Sequence, residues 1–227
     1  MERYADEALV LSTLDYGESD RVVTLLTREH GKVSAFAAGA RKSKRRFAGA
    51  LEPFMRLSVQ LVETRGSTTR LDETDILAGY YAVRGDLSLI ARALYALELC
   101  RELTRDHEPH QELYTLAVAY LERLDAREAG PTSLVAFELS AIAQAGLMPR
   151  FDACALCAAE PGAHPRFDVA HGGAVCEACS RRARDSQPVP AALLSGLRAL
   201  QEGRRTPLAP ELRARAAPAP PARTRCG

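Results

Sequence analysis

Along the first third of the chain, hydrophobic positions alternate with polar ones at a period of two. Ala8-Leu-Val-Leu-Ser-Thr-Leu14 is followed by the polar turn Tyr16-Gly-Glu-Ser-Asp20 and by Arg21-Val-Val-Thr-Leu-Leu-Thr27, which predicts two strands around a turn. Lys32 to Ala38, introduced by Gly31, and Arg56 to Val62 predict two more strands, and a weaker run near Thr69 to Leu77 a fifth, with Arg65-Gly-Ser67 marking a hairpin. Five short strands with one long connection at residues 39–53 fit a small closed barrel such as an OB-fold, which leaves no strand edge exposed. An SH3-like barrel is the alternative closure.

From about Tyr80 the period lengthens to that of a helix. Leu87, Ile90, Leu94 and Leu97 share one face, and Leu89, Ala93, Ala96, Cys100 and Leu103 another, so this helix is apolar on two sides and widely buried. Leu113, Leu116, Tyr120, Leu121 and Leu124 continue the spacing. Pro131 opens a further helix whose stripe is Leu134, Phe137, Ala141, Ile142 and Ala145, ending at Gly146. Pro190 to Glu202 allows one more, and the Pro-Ala-Arg sequence that follows reads as a disordered tail. The expected fold class is α+β and multidomain: an N-terminal OB-fold barrel at residues 1–80, a helical domain at 81–150 and 186–203, a zinc-ribbon-like element inserted at 151–185, and the tail at 204–227.

Composition adds little beyond confirming a folded protein: 47% hydrophobic and 26% charged residues are ordinary globular values. The first residues lack the cationic-then-apolar pattern of a secretory signal, and no apolar run approaches the roughly 18 residues that span a bilayer. The expected compartment is the cytosol. Six cysteines in a reducing compartment are metal ligands or buried thiols before they are disulfides.

Spacing decides between those readings. Cys154-Ala-Leu-Cys157 and Cys176-Glu-Ala-Cys179 form two CxxC turns separated by 18 residues, inside the zinc-ribbon range. Each turn can aim two thiolates at one ion, and four thiolates complete a tetrahedral shell, leaving no position for a reactive water. The predicted cofactor is therefore a structural Zn2+ held by Cys154, Cys157, Cys176 and Cys179. His164 and His171 lie between the turns as substitute ligands. His110-Gln-Glu112 matches half of the zinc-deaminase signature, but neither CxxC follows a proline, as the other half requires.

The net charge of +1 conceals a segregation. Arg41-Lys-Ser-Lys-Arg-Arg46 places Arg41, Lys42, Lys44, Arg45 and Arg46 in the long barrel connection, and no acidic residue occurs between Gly31 and Leu51. Such a loop can track phosphates and release their condensed counterions, giving affinity for nucleic acid independent of sequence. Phe36, Phe47 and Phe54 flank it as candidates for base stacking. A second basic group, Arg181, Arg182 and Arg184, follows the second CxxC and reads first as a solvated surface. Asp72-Glu-Thr-Asp75 is the one carboxylate cluster that invites a metal-dependent nuclease reading, and a polar strand end accounts for it more simply. No nucleophile with an activating base stands out, so the chain reads as a binding protein and not as an enzyme.

The order of features resembles a known family. Tyr16-Gly-Glu-Ser-Asp-Arg21, Leu25-Leu-Thr27, Gly31-Lys32, the basic loop, Leu51-Glu-Pro-Phe54, and Gly146-Leu-Met-Pro149 leading into the first CxxC are similar to the RecO family of recombination mediators. The resemblance implies an OB-fold, a helical core and a zinc element that together bind single- and double-stranded DNA in the nucleoid of a bacterium. It implies work in the RecF pathway with RecR, SSB and sometimes RecF, annealing strands and loading RecA onto SSB-coated DNA. It also leads one to expect a final amphipathic helix where this chain has Thr206 to Gly227. A zinc-ribbon protein acting in transcription or on RNA is the alternative reading.

Overall fold

The computed structural model describes residues 2–43, 45–47, 49–64 and 69–204. Five strands, β1 (Glu2–Tyr16), β2 (Asp20–Thr27), β3 (Gly31–Ala37), β4 (Arg56–Glu63) and β5 (Thr69–Ala78), form a closed barrel in the order β1-β2-β3-β5-β4. The first strand is shared: its N-terminal half pairs with β4 from Glu2↔Glu63 to Leu9↔Arg56, and its C-terminal half pairs with β2 from Ala8↔Thr27 to Tyr16↔Asp20. A short parallel pairing of β3 with β5 closes the cylinder. This is the OB-fold expected of the alternating N-terminal segment.

A register shift between Val10 and Ser12 explains the unbroken apolar run at the start of the chain. Leu11 is the extra residue of a bulge, which bends the strand; before it Ala8 and Val10 face the barrel core, and Leu9 is buried on the outer side. The barrel core takes Ala8, Val10, Val23, Leu25, Val33, Ala35, Leu57, Val59 and Leu61, together with Phe47 and Leu51 from the long connection. Leu51-Glu-Pro-Phe54 is tied down on β1: the Phe54 N–H donates to the Val10 carbonyl and the Val10 N–H to the Met55 carbonyl, each at 2.9 Å, and the Thr13 hydroxyl donates to the Leu51 carbonyl at 2.6 Å.

Three helices follow, α1 (Tyr81–Arg84), α2 (Leu87–Leu103) and α3 (Gln111–Asp125). Asp86 caps α2 by accepting from the Ser88 and Leu89 N–H groups, satisfying donors that the first turn leaves open. α2 packs on β1, and the outward-facing register partners Leu9 and Leu26 are fully buried. Gly31 sits at φ +73° with the Glu108 backbone so near that a Cβ would lie 2.0 Å from its carbonyl oxygen, so only glycine fits there.

The chain divides into two compact units, Met1–Ala129 with Ser140–Ala145, and Gly130–Leu139 with Gly146–Gly227. Helices occur in both units. α1 to α3 fall in the unit that holds the barrel, and α5 (Ala191–Gln201) falls in the one that holds the four-cysteine element. α4 (Pro131–Gln144) belongs through Leu139 to the second unit and from Ser140 to the first.

The second unit has its own core, in which Leu139, Phe151, Ala174 and Leu194 are buried with Phe167, Val189 and Leu197 against them. Its sheet runs β7 (Gly173–Val175), β6 (Arg166–Asp168), β8 (Gln187–Pro188). The hairpin at Arg65 to Ser67 and the tail beyond Arg204 lie outside the described residues. No helix among the described residues is long and apolar enough to cross a membrane.

Candidate metal centre and nucleic-acid interface

The first CxxC lies on a turn closed by the Ala158 N–H donating to the Cys154 carbonyl at 2.8 Å. It is tied to β7 by the Ala155 N–H, which donates to the Ala174 carbonyl at 2.7 Å. The second begins directly after β7, and the 3-10 turn Glu177–Cys179 brings Cys179 back beside Cys176. The four Sγ atoms lie within 4.8 Å of one another, and Cys157 and Cys176 are 3.7 Å apart. Ligands at about 2.3 Å around a tetrahedral ion are separated by about 3.8 Å, so the cluster has the dimensions of a metal shell. Among the described residues this is the group that offers three or more ligand atoms together, and His164 and His171 are not in it. His171 instead makes a 3.0 Å contact through Nδ1 with Asp168.

The thiols are electrostatically uneven. Burial raises the Cys154 thiol, but the backbone N–H groups of Cys176, Leu156 and Cys157 overcome that and bring it down to about 6. Cys179 is pushed up to about 12, first by its hydrogen bond with Cys157 and then by burial. One thiolate is favoured before any ion arrives, and crowding opposes the rest; a divalent cation removes that opposition. Cys154, Cys176 and Cys179 are buried with Val175 and Ala183, and Cys157 is exposed. Soft thiolates in this arrangement can hold a metal ion.

The basic connection begins where β3 ends. Its start is fixed to the β1–β2 turn: the Arg41 N–H donates to the Ser19 carbonyl at 2.9 Å, and its guanidinium to the Gly17 carbonyl at 3.3 Å. Asp20 accepts from the Gly39 N–H at 2.7 Å and from the Ser19 hydroxyl at 2.9 Å. Those bonds hold its carboxyl below the ordinary carboxylate value.

The structure sorts the cations. Arg46 donates to the Ala38 carbonyl at 2.9 Å and lies 5.0 Å from the Phe47 ring centroid, so part of its role is to hold the loop. The side chains of Lys42 and Arg45 are exposed and make no hydrogen bond or ion pair among the described residues, while the Lys42 backbone N–H donates to the Gly39 carbonyl at 3.2 Å. Lys44 lies outside the described residues.

Of the three flanking phenylalanines, two are not available for stacking. Phe47 fills the barrel core, and Phe54 is 5% exposed with the Arg84 guanidinium 4.5 Å from its ring centroid. Phe36 faces outward, and sequence reasoning missed its neighbour: Tyr16, read only as a turn residue, packs edge to face on it at 5.8 Å. The signal was the even spacing of Leu14 and Tyr16 after the bulge, which sends both outward.

Arg181, Arg182 and Arg184 are exposed on the second unit. The acidic cluster does not gather: Asp72 is taken up by Arg3 and Arg70, each at 2.8 Å.

The comparisons with known proteins agree along most of the chain. The family model described as "Recombination protein O N terminal" matches residues 1–80, and "Recombination protein O C terminal" matches residues 84–217. The DNA repair protein RecO of Myxococcus xanthus (strain DK1622) is 79% identical over 216 residues, covering 95% of this chain and 88% of the relative. The DNA repair protein RecO of Anaeromyxobacter sp. (strain K) is 55% identical over 205 residues, covering 89% and 81%. That of Geobacter sulfurreducens is 46% identical over 176 residues, covering 77% and 72%.

Proposed function

Because the chain belongs to the recombination protein O (RecO) family, we propose that it is a DNA-binding mediator of recombinational repair. In this reading it anneals complementary single strands and helps load RecA onto SSB-coated DNA in the RecF pathway, in the bacterial cytoplasm and nucleoid. Its partners are single- and double-stranded DNA, RecR and SSB, with RecF as an additional partner and RecA served indirectly. The observation that carries the reading is the match to both family models over residues 1–80 and 84–217.

The physical role asked of each part is modest. Arg41, Lys42, Lys44, Arg45 and Arg46 supply phosphate contacts, of which Lys42 and Arg45 have the least structural use elsewhere. The ion in the four-cysteine shell is Zn2+, held by Cys154, Cys157, Cys176 and Cys179; its filled coordination fixes the fold of the element and leaves no site for catalysis. No covalent bond is made or broken.

The direct test is annealing of complementary strands precoated with SSB, followed by fluorescence of a donor–acceptor pair on the two strands. The full chain should accelerate annealing over SSB-coated strands alone. No acceleration by a folded, metal-loaded protein, together with a preference for structured RNA, would move the assignment to the transcription or RNA reading.

A further inference from the structure

The four clustered cysteines of the second unit are alike in chemistry and unlike in exposure. Cys154, Cys176 and Cys179 are buried, and Cys157 is exposed. One strand fixes both turns that carry them. The first turn is tied to β7 through the Ala155 N–H and the Ala174 carbonyl, and the Cys154 N–H closes it by donating to the Ala159 carbonyl at 2.7 Å. Cys176 follows β7 directly. The exposed Cys157 Sγ thereby rests 3.7 Å from the buried Cys176 Sγ.

Little else holds the two turns together. Apart from the cysteines, the apolar cluster around the sulfurs consists of Val175 and Ala183, with Leu156 against it. Phe151, Ala174 and Leu194 belong to a separate core. Ligation shared by the four thiolates is therefore the main tie between the turns, and whatever removes two thiolates unties them.

We propose that Cys157 is an oxidation site at which a hydroperoxide opens the four-thiolate shell, with Cys176 as the resolving partner. The inference goes beyond DNA binding and rests on the Zn2+ reading for its consequence. Susceptibility to peroxide follows thiolate character and exposure, and a second thiol in reach converts the first product into a disulfide. The Cys157 thiolate attacks the hydroperoxide: an S–O bond forms as the O–O bond breaks, giving a sulfenic acid and an alkoxide, which takes a proton from water. The Cys176 thiolate then attacks the Cys157 sulfur, an S–S bond forms as the S–O bond breaks, and hydroxide leaves. Two thiolates have lost two electrons and the peroxide has gained them. Cys154 and Cys179 remain, half of a tetrahedral shell, and the hold on the ion is lost. A dithiol reductant reverses the step by thiol–disulfide exchange. Cys100, buried in α2, is closed to the oxidant.

The test loads the full chain with Zn2+, exposes it to hydrogen peroxide, and follows a chromogenic zinc indicator together with mass mapping of alkylated peptides. One ion per chain should be released in step with a bridge between Cys157 and Cys176, while Cys100 stays a thiol. Dithiothreitol with added Zn2+ should restore the starting state. Cys157→His supplies an imidazole ligand in place of the oxidisable one and should keep its ion under the same treatment. If that variant loads poorly, the peptide map of the unmodified chain decides the question by itself. Zn2+ retained with all four thiols intact, or released with a bridge between Cys154 and Cys157 instead, overturns the switch while leaving the zinc site standing. Release from Cys157→His as fast as from the unmodified chain overturns it too. A bridge between Cys157 and Cys176 in a chain that takes up no Zn2+ would overturn the metal assignment alone.

Discussion

The ammonium group of Lys32, on β3, donates to the carbonyl oxygen of Thr104 at 2.8 Å, the residue that ends α2, and to that of Arg101 at 3.0 Å. The last carbonyls of a helix have no partner within it and carry the negative end of its dipole, so a half-buried cation there serves both needs. The pair fastens α2 onto the barrel. Lys32→Met keeps much of the side-chain bulk and removes both bonds. It should lower unfolding stability by about 2 kcal/mol, measured by chemical denaturation. A change within experimental error would show that the helix is held by apolar packing alone.

Asp20 does for the basic loop what Lys32 does for α2. Its carboxylate receives the Gly39 N–H and the Ser19 hydroxyl, and Ser19 in turn receives the Arg41 N–H. The backbone bond is the larger cause of its lowered pKa. A lowered carboxylate stabilises the folded loop above the ordinary value of 3.8 and loses that effect as the pH falls through the lower, folded value. Asp20→Ala should therefore weaken DNA binding at pH 7 while leaving the metal content unchanged. Unaltered affinity would separate the loop's anchoring from its function.

In the first cysteine turn, Ala158 occupies the left-handed region at φ 61°, which costs a residue with a Cβ roughly 1–2 kcal/mol. Ala158→Gly relieves this at some cost in unfolded-chain entropy, and should raise the stability of the metal-loaded element by roughly 0.5–1 kcal/mol. Ala155→Gly, without such a φ, is the control and should destabilise. Thermal unfolding of the loaded protein checks both.

Metal binding should release protons. At neutral pH, Cys179, pushed up to about 12, carries its proton until the ion displaces it, whereas Cys154, down at about 6, is already a thiolate. The raised thiol favours the metal-free fold below its unfolded value near 9 and ceases to do so as pH climbs through 12, and the lowered one contributes above its unfolded value and fades below 6. Zinc affinity should thus increase with pH between about 6 and 8, one ion per chain, with calorimetric heats that vary with buffer ionisation enthalpy. Heats independent of buffer would contradict the thiol assignment.

Much of this was legible in the sequence because the barrel alternates cleanly where one face is buried. Residues 32–38 and 56–62 predict β3 and β4 to within one residue of their observed bounds. β1 begins six residues earlier than its apolar run, because Glu2 to Glu7 pairs with β4 through mostly polar side chains that give no hydrophobic signal. The four cysteines declared their cluster by spacing alone. The fate of the phenylalanines could not be read this way: Phe47 and Phe54 lie in an irregular connection with no period to assign a face. Tyr16 was hidden by its position at the end of a strand, where only the bulge at Leu11 decides which way it points. The three very short strands of the second unit are set by the turns that carry the cysteines, not by any propensity of their own.

The central claim is that the loop after β3 binds DNA through its phosphates, and the salt dependence of affinity tests it most directly. For a single-stranded oligonucleotide, log affinity should fall linearly with log salt, by about 0.7 for each phosphate contacted. Replacing Lys42, Lys44 and Arg45 together by glutamine should flatten that slope by up to about 2 and weaken binding at low salt, with the fold and metal content unchanged. A slope and an affinity both indistinguishable from the unmodified chain would contradict the account and place the DNA elsewhere on the protein.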